Sequence, residues 1–331
     1  MRAAYVPDHN QVEVGEFDDP VATRPGQVVV RMRWASICGS DVHNVYHGFL
    51  KPAGVNKPGY PGHEGVGIVV QSRSPRFSPG DAVLTVPVLG GCFAEYQLIE
   101  DSYLVPLPPE GELQRLLMAQ QYGTTLFAMR LFWPGGHPGT VAVIGAGSAG
   151  LFFVQQARRL GFQTILVSDL NPDRLAVARL LGADVTVHAP AESLVEAVND
   201  HTGGTGADLV IEAAGYDALR ADAVDAVRAH GTVGYFGFPE RLGSAPFPVY
   251  AAYRKVARIQ FASATQAEPG LRAFRDAVAQ IQAGIVTVDY CLDANFSLEQ
   301  VPAALQLARD PGRRAVKLSI DLEHVQEPLD V

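Results

Sequence analysis

The rhythm of apolar and polar positions changes along the 331-residue chain. In the first third, short β-branched runs are bounded by Gly or Pro: Gln27 to Arg33 (QVVVRMR), Gly65 to Gln71 (GVGIVVQ) and Asp81 to Val88 (DAVLTVPV). Such runs at short intervals predict a compact, β-barrel-like unit. Glu112 to Phe132 is long and apolar enough for one or two helices. Strand and helix patterns then alternate, with strands predicted at Thr140–Ile144, Thr164–Ser168, Asp184–His188, Asp208–Glu212, Gly231–Phe236 and Arg258–Ala262. One intervening helix is well marked: Asn171 can cap it, Pro172 suits its first turn and Gly182 ends it. Six strands with helices between them predict a doubly wound parallel sheet. From about residue 265 come further helices and a terminal strand, Ala315–Ile320, which read as returning to the first domain. The chain is therefore α/β, with a β-rich domain over 1–123 and 265–331 and a doubly wound, Rossmann-type domain over 124–264.

Composition narrows the function classes. Apolar residues make up 47% and charged residues 18%, which suits a globular protein with a sizeable core. The net charge of -9 repels phosphate backbones, so no nucleic acid partner is expected. Cys38, Cys92 and Cys291 show no paired spacing, so a reducing cytoplasm is the simplest setting. The N-terminal stretch MRAAYVPDHNQVEVGEF has no continuous apolar core. No run approaches the ~20 apolar residues of a membrane span, so neither a signal peptide nor a membrane is expected.

Gly145-Ala146-Gly147-Ser148-Ala149-Gly150 follows the apolar run Val141–Ile144 and opens a helical pattern. In this context Gly145 permits the tight turn, Gly147 lets the backbone approach a pyrophosphate, and Gly150 allows close helix–strand packing. Ser148 and Ala149 complete a helix N-terminus whose free N–H groups and dipole favour an anion. Asp169 ends the next apolar run, ILVSD. A carboxylate there accepts from the ribose hydroxyls and repels a 2′-phosphate, favouring NAD over NADP. Arg174, five residues on, leaves that preference open.

Three groups precede this motif: Cys38-Gly39-Ser40-Asp41-Val42-His43, Gly62-His63-Glu64, and Gly90-Gly91-Cys92-Phe93-Ala94-Glu95-Tyr96. Singly, each has a bland explanation as a core thiol, a core imidazole or a solvated turn. Together, Cys38, His63 and Glu64 supply thiolate, imidazole and carboxylate, three ligands of a catalytic zinc whose fourth position is left to water or substrate. Asp41 can orient the His63 ring. Ser40 can take a proton from an alcohol and His43 can pass it to bulk water.

At this point the chain resembles the zinc-containing branch of the medium-chain dehydrogenase/reductase superfamily, close to sorbitol, threonine and alcohol dehydrogenases. The segments that carry the resemblance are ASICGSDVH (35–43), PGHEGVGIVV (61–70), FSPGDAVL (77–84), GGCFAEY (90–96), VAVIGAGSAGL (141–151) and ADLVIEAAG (207–215). They stand in the family's order and span most of the chain. The resemblance implies a GroES-like catalytic domain, one zinc on Cys38, His63 and Glu64, a relay of Ser40 and His43, and NAD on Gly145, Gly147, Gly150 and Asp169. It also implies that Lys317 lies near the cofactor phosphates and that the protein is a homodimer or homotetramer. There are two departures. Pro87-Val88-Leu89 runs directly into Gly90-Gly91-Cys92, where relatives often carry a four-cysteine lobe, so no structural zinc is expected. Gln120, in Met118-Ala119-Gln120-Gln121, stands where relatives place a Cys or Glu. An amide is a weaker zinc ligand than a carboxylate. The expected set is thus Cys38, His63, Glu64 and a water, with Gln120 nearby.

The expected activity is hydride transfer between a secondary alcohol, polyol or cyclitol and NAD, in a cleft between the domains at the carboxyl ends of the sheet strands. Tyr46, His47, Phe49 and Leu50 are expected to line the substrate pocket, and the apolar run Arg258–Ala262 to pair across subunits. Two alternatives stand beside this reading. A zinc-free reductase of quinones or activated alkenes would have no use for the Cys and His-Glu ligands. A non-catalytic NAD-binding protein would need no proton path.

Overall fold

The computed structural model describes residues 1–310, 312 and 314–323. Its N-terminal third forms strands β1 (Arg2–Tyr5), β2 (Glu13–Glu16), β3 (Gln27–Ile37), β4 (Glu64–Ser72), β5 (Ala82–Thr85), β6 (Tyr96–Glu100) and β7 (Leu104–Pro106). Helix α1 (Gly39–Tyr46) follows β3, and α2 (Leu113–Leu117) and α3 (Ala119–Phe132) follow β7. Strands β8 (Thr140–Ile144), β9 (Thr164–Asp169), β10 (Val185–His188), β11 (Ala207–Glu212), β12 (Val227–Tyr235) and β13 (Arg258–Phe261) then alternate with α4 (Ser148–Leu160), α5 (Pro172–Leu180), α6 (Leu194–Thr202), α7 (Asp217–Ala226) and α8 (Val249–Lys255). Helix α9 (Arg272–Gln282), β14 (Asn295–Ser297), α10 (Val301–Ala308) and β15 (Leu318–Asp321) complete the chain.

Internal contacts divide the chain into two units. Met1–Gly123, Gln266–Asp310 and the described residues from Lys317 onward form the first; Thr124–Thr265 and the described residues of 311–316 form the second. The division falls inside α3. Gly312 and the residues at 314–316, though preceded in sequence by α10 of the first unit, group with the second.

In the first unit the main sheet runs β14-β15-β3-β4-β5-β7, with β6 also paired to β3, while β1 and β2 form a separate antiparallel ladder. Strand β3 is its backbone. Eleven largely apolar residues carry it past the predicted Arg33 to Ile37, and Val28, Val30, Met32 and Ala35 are buried along it. Strand β5 stops at Thr85, short of the predicted Val88, where Pro87 has no N–H to continue a ladder. The terminal strand begins at Leu318, three residues later than predicted, so Lys317 precedes it.

In the second unit all six strands are parallel, in the order β10-β9-β8-β11-β12-β13. The order reverses between β8 and β11, which places a topological switch point at the carboxyl ends of these strands. One face is filled by Ala142, Leu166, Val210 and Val233 against Leu194, Val198, Ala223 and Val224 of α6 and α7. Helix α4 is buried from Ser148 to Ala157. The marked helix is α5: Asn171 Oδ1 accepts from the N–H groups of Asp173 (2.9 Å) and Arg174 (3.3 Å), and Gly182 adopts φ 113° beyond its end. Among the described residues, no helix is long and apolar enough to cross a membrane.

Candidate functional site

Local folding explains how the first-unit cluster is assembled. Strand β3 ends at Ile37, and Cys38 becomes the N-cap of α1 in extended conformation (φ -101°, ψ 158°). Asp41, in the first turn, is fully buried and divides its two oxygens. Oδ2 accepts from the Cys38 backbone N–H at 2.9 Å, and Oδ1 lies 2.9 Å from His63 Nδ1. One carboxylate thus holds the residues on either side of the site. With Nδ1 engaged, His63 is left to present Nε2, the usual consequence of a carboxylate behind a ligating imidazole. Burial pulls the His63 imidazole toward its neutral form, but the Asp41 carboxylate and the neighbouring Cys38 outweigh it and hold the group well above its ordinary value.

Glu64 opens β4 and stands opposite Ser36 of β3, which in turn stands opposite Ser319 of β15. This three-strand register brings Lys317 to the Glu64 carboxylate. Lys317 Nζ is 2.5 Å from Glu64 Oε2, with both side chains about 98% or more buried. Ser36 Oγ also donates to Oε2. Lys317 donates a second bond to Gln121 Oε1 at 2.9 Å. Burial alone would raise the Glu64 carboxyl; Lys317, His63 and the hydrogen bonds from Lys317 and Ser36 hold it below its ordinary value. Burial opposes the Lys317 charge in the same way, and Glu64 restores it.

The ligand atoms of Cys38, His63 and Glu64 lie within 4.8 Å of one another. While Oε2 of Glu64 carries the lysine and serine, Oε1 is buried with no hydrogen-bond partner. An unpartnered carboxylate oxygen in a dry site is costly. A divalent cation on the thiolate, imidazole and this oxygen satisfies it, and the three donors are those of a catalytic zinc site. The residues therefore fit the metal that the sequence implies.

The structure revises several expectations. Lys317, expected beside the cofactor phosphates, is buried against Glu64, because the β15–β3–β4 register fixes it there. Ser36 and Gln121, which sequence reasoning missed, are its companions. Gln120 is buried, but the amide that meets Lys317 belongs to Gln121, one residue later on α3. Tyr46 lies beneath the Arg309 guanidinium at 4.6 Å, and Phe49 packs edge-on against His43 at 5.5 Å. Cys92 is enclosed by Thr85 and Gln97, and burial pushes its thiol up to about 12. It is a packed core group.

In the second unit, Gly145 sits at φ 97° and its N–H donates to the Ser168 carbonyl at 2.8 Å. Asp169 closes the same turn: Oδ2 accepts from the Ala146 N–H at 2.6 Å and Oδ1 from the Asn171 N–H at 2.8 Å. A Cβ on Gly150 would fall 1.8 Å from the Gly145 carbonyl oxygen, so only glycine lets α4 lie this close to the turn. A Cβ on Gly147 would meet no atom within 4 Å and would fill the space beside the α4 N-terminus. Ser148 and Ala149 form the buried first turn of α4. A helix N-terminus of this kind can receive an anionic group on its backbone N–H donors. Arg174 is buried, with its guanidinium on the Ala315 carbonyl at 3.2 Å.

Residues 24–109 match the alcohol dehydrogenase GroES-like domain and residues 149–260 the zinc-binding dehydrogenase domain. An uncharacterised zinc-type alcohol dehydrogenase-like protein of Escherichia coli (strain K12) is 30% identical over 72% of this chain and 77% of its own length. Sorbitol dehydrogenase of Bacillus subtilis (strain 168) is 22% identical, covering 97% of both chains. The solved structure of an alcohol dehydrogenase from Thermus sp. ATN1 superposes with a TM-score of 0.86 at 27% identity, over 98% of this chain and 100% of that one. The chain thus belongs to the zinc-type alcohol dehydrogenases, oxidoreductases of the medium-chain dehydrogenase/reductase superfamily.

Proposed function

We propose that this protein is a zinc-dependent, NAD-linked dehydrogenase of secondary alcohols, with polyols or cyclitols as its substrate class. The observation that carries the proposal is the Cys38–His63–Glu64 cluster, in which Cys38 and His63 are half-buried and Glu64 is buried, with Oε1 unpartnered while Oε2 is engaged. The substrate class is supported by relatives such as sorbitol dehydrogenase and the scyllo-inosose 3-dehydrogenase of Thermotoga maritima, 26% identical over 88% of this chain. Three free cysteines, two of them buried, suit a reducing compartment such as the cytoplasm.

When bound, zinc supplies a Lewis acid that favours the ionised alcohol, and NAD supplies the hydride acceptor. The chain does the rest. Cys38, His63 and Glu64 hold the ion, and Asp41 keeps His63 in the ligating tautomer. Ser40 takes the alcohol proton and His43 carries it outward. Gly145, Gly147 and Gly150 admit the pyrophosphate to the α4 N-terminus, with Ser148 and Ala149 as its donors. The Asp169 carboxylate disfavours a 2′-phosphate, which supports NAD over NADP. A homodimer or homotetramer is part of the reading, supported by exposed Tyr250, Tyr253, Val256 and Phe261 around the β13 edge.

Elemental analysis of protein purified without chelator tests it. About one zinc per chain is expected, reduced in Cys38→Ser and Glu64→Gln, with NAD-dependent oxidation in a polyol screen. Absence of zinc after reconstitution would sink the proposal in favour of a zinc-free reductase or a cofactor binder.

A further inference from the structure

Helix α1 carries three proton-handling groups along one face. Ser40, His43 and His47 are spaced i, i+3 and i+7, which stacks them on a single stripe. Their surroundings open toward water along the helix, from buried Asp41 at its N-terminus to exposed His47 at its C-terminus. Cys38 and Asp41 sit at the N-terminus of the helix, Ser40 and His43 are half-buried, and His47 at the C-cap is exposed. The two imidazoles meet directly, with Nδ1 of His43 3.1 Å from Nδ1 of His47 and the rings edge-to-face at 4.6 Å. The chain around them is fixed. The backbone N–H groups of His47 and Phe49 both donate to the His43 carbonyl, at 3.1 and 3.3 Å, and the Phe49 ring packs on His43. A helix C-terminus also favours a cation, so the charge that passes through His47 is stabilised where it emerges.

We propose that His47 is the solvent end of the proton path, receiving the proton from His43 and releasing it to water. The inference rests on the Ser40–His43 relay proposed above. An Nδ1-to-Nδ1 contact between neutral rings holds one hydrogen between two nitrogens. Before transfer His43 carries its hydrogen on Nδ1 and His47 on Nε2. A proton accepted at His43 Nε2 makes that ring a cation. Its Nδ1 hydrogen moves to the lone pair of His47 Nδ1, and His47 gives its Nε2 hydrogen to water. Each ring gains one proton and loses one. The hydrogen bond between them ends in the opposite sense, which is the arrangement from which the reverse reaction draws a proton inward.

The test compares His47→Gln and His43→Gln in the zinc-loaded enzyme with NAD and an alcohol, at low buffer concentration and with added free imidazole. Zinc content is read in the same samples. In His47→Gln, kcat falls roughly tenfold with KM unchanged, the solvent deuterium isotope effect rises, and free imidazole restores the rate. The drop is smaller than the about 10²–10⁴-fold that a group handling the substrate proton itself supplies. A second readout needs neither cofactor nor turnover. In the parent protein labelled with ¹⁵N-histidine, a through-hydrogen-bond coupling joins the two Nδ1 nuclei, and it is absent in His47→Gln. If His43→Gln is impaired while His47→Gln turns over at the parent rate in low buffer, the exit lies elsewhere and only this inference falls. If neither is impaired, the relay itself is wrong and the exit falls with it. Absence of the coupling in the parent overturns the inference whatever the kinetics.

Discussion

Lys317→Met is the substitution that asks most of this structure. The lysine ammonium and the Glu64 carboxylate are 2.5 Å apart, and neither side chain is more than 2% exposed. Methionine keeps the alkyl volume and removes only the charge and the donors. In metal-free protein this leaves Glu64 buried with the Ser36 hydroxyl as its remaining donor. Breaking one partner out of a buried ion pair costs about 3–5 kcal/mol, against about 0–1 kcal/mol for an exposed pair. The Ser36 bond remains, so the lower end, about 3 kcal/mol, is expected. At roughly 2–4 °C per kcal/mol for a unit of this size, Tm falls by roughly 6–12 °C. Differential scanning calorimetry in the presence of chelator reads this directly. Two companions sharpen the result. Glu64→Gln combined with Lys317→Met removes both charges and recovers most of the loss, since the cost lies in the stranded carboxylate and not in the lost contact. Added zinc narrows the gap between Lys317→Met and parent, because the ion supplies positive charge to the same carboxylate. A loss below about 1 kcal/mol in chelator, the range of a solvent-screened pair, would refute the buried-pair reasoning. So would a double variant as unstable as the sum of the two single ones.

Three further outcomes follow from other parts of the fold. Gly150→Ala puts a methyl group 1.8 Å from the Gly145 carbonyl oxygen, so α4 must move off the turn. About 1–3 kcal/mol of destabilisation and loss of NADH binding by fluorescence titration are expected, and parent-like binding would contradict the close packing. Burial holds the Glu212 carboxyl above its ordinary value despite the N–H groups of Ala214 and Gly215 and the nearby Arg220. Its folded state therefore keeps a proton longer than the unfolded chain does. The stability it contributes is complete below the unfolded pKa and is lost as pH rises through the folded one. Glu212→Gln should gain on the parent in urea midpoint from about pH 4 toward neutrality; a pH-independent difference would show that burial does not govern this carboxyl. Finally, Cys92, with its thiol pushed up to about 12, and Cys291, pushed higher still by burial, should resist a thiol reagent in zinc-free folded protein and react only on unfolding. A second fast-reacting thiol besides Cys38 would contradict their burial.

What the sequence disclosed and what it hid divide along physical lines. The parallel sheet was legible because its strands are continuous apolar runs; Thr140–Ile144 forms β8 over the predicted residues, and Arg258–Ala262 forms β13 one residue shorter. The Gly145–Gly150 turn and the Asn171 cap were legible because their chemistry is settled within a few residues. So was the Cys38–Asp41 unit, where one helical turn joins a ligand to its support. Strands β6, β7 and β14 escaped because they are short, five residues or fewer, and are defined by pairing with partners distant in sequence. Lys317 shows the limit most clearly. In the string AVKLSI it is a basic residue at the start of an apolar strand, and nothing local distinguishes a phosphate contact from a buried counter-ion. The decision is made by register. Ser319 opposite Ser36, and Ser36 opposite Glu64, set the ammonium on the carboxylate, and a slip of one residue would turn that side chain to the other face of the sheet. The His43–His47 contact is the converse case. Its i, i+4 spacing was visible all along, but a stripe of polar groups on a short helix reads equally well as pocket lining. Only the 3.1 Å approach of the two Nδ1 atoms brings the two imidazoles into hydrogen-bond contact, the observation on which the proposed exit rests.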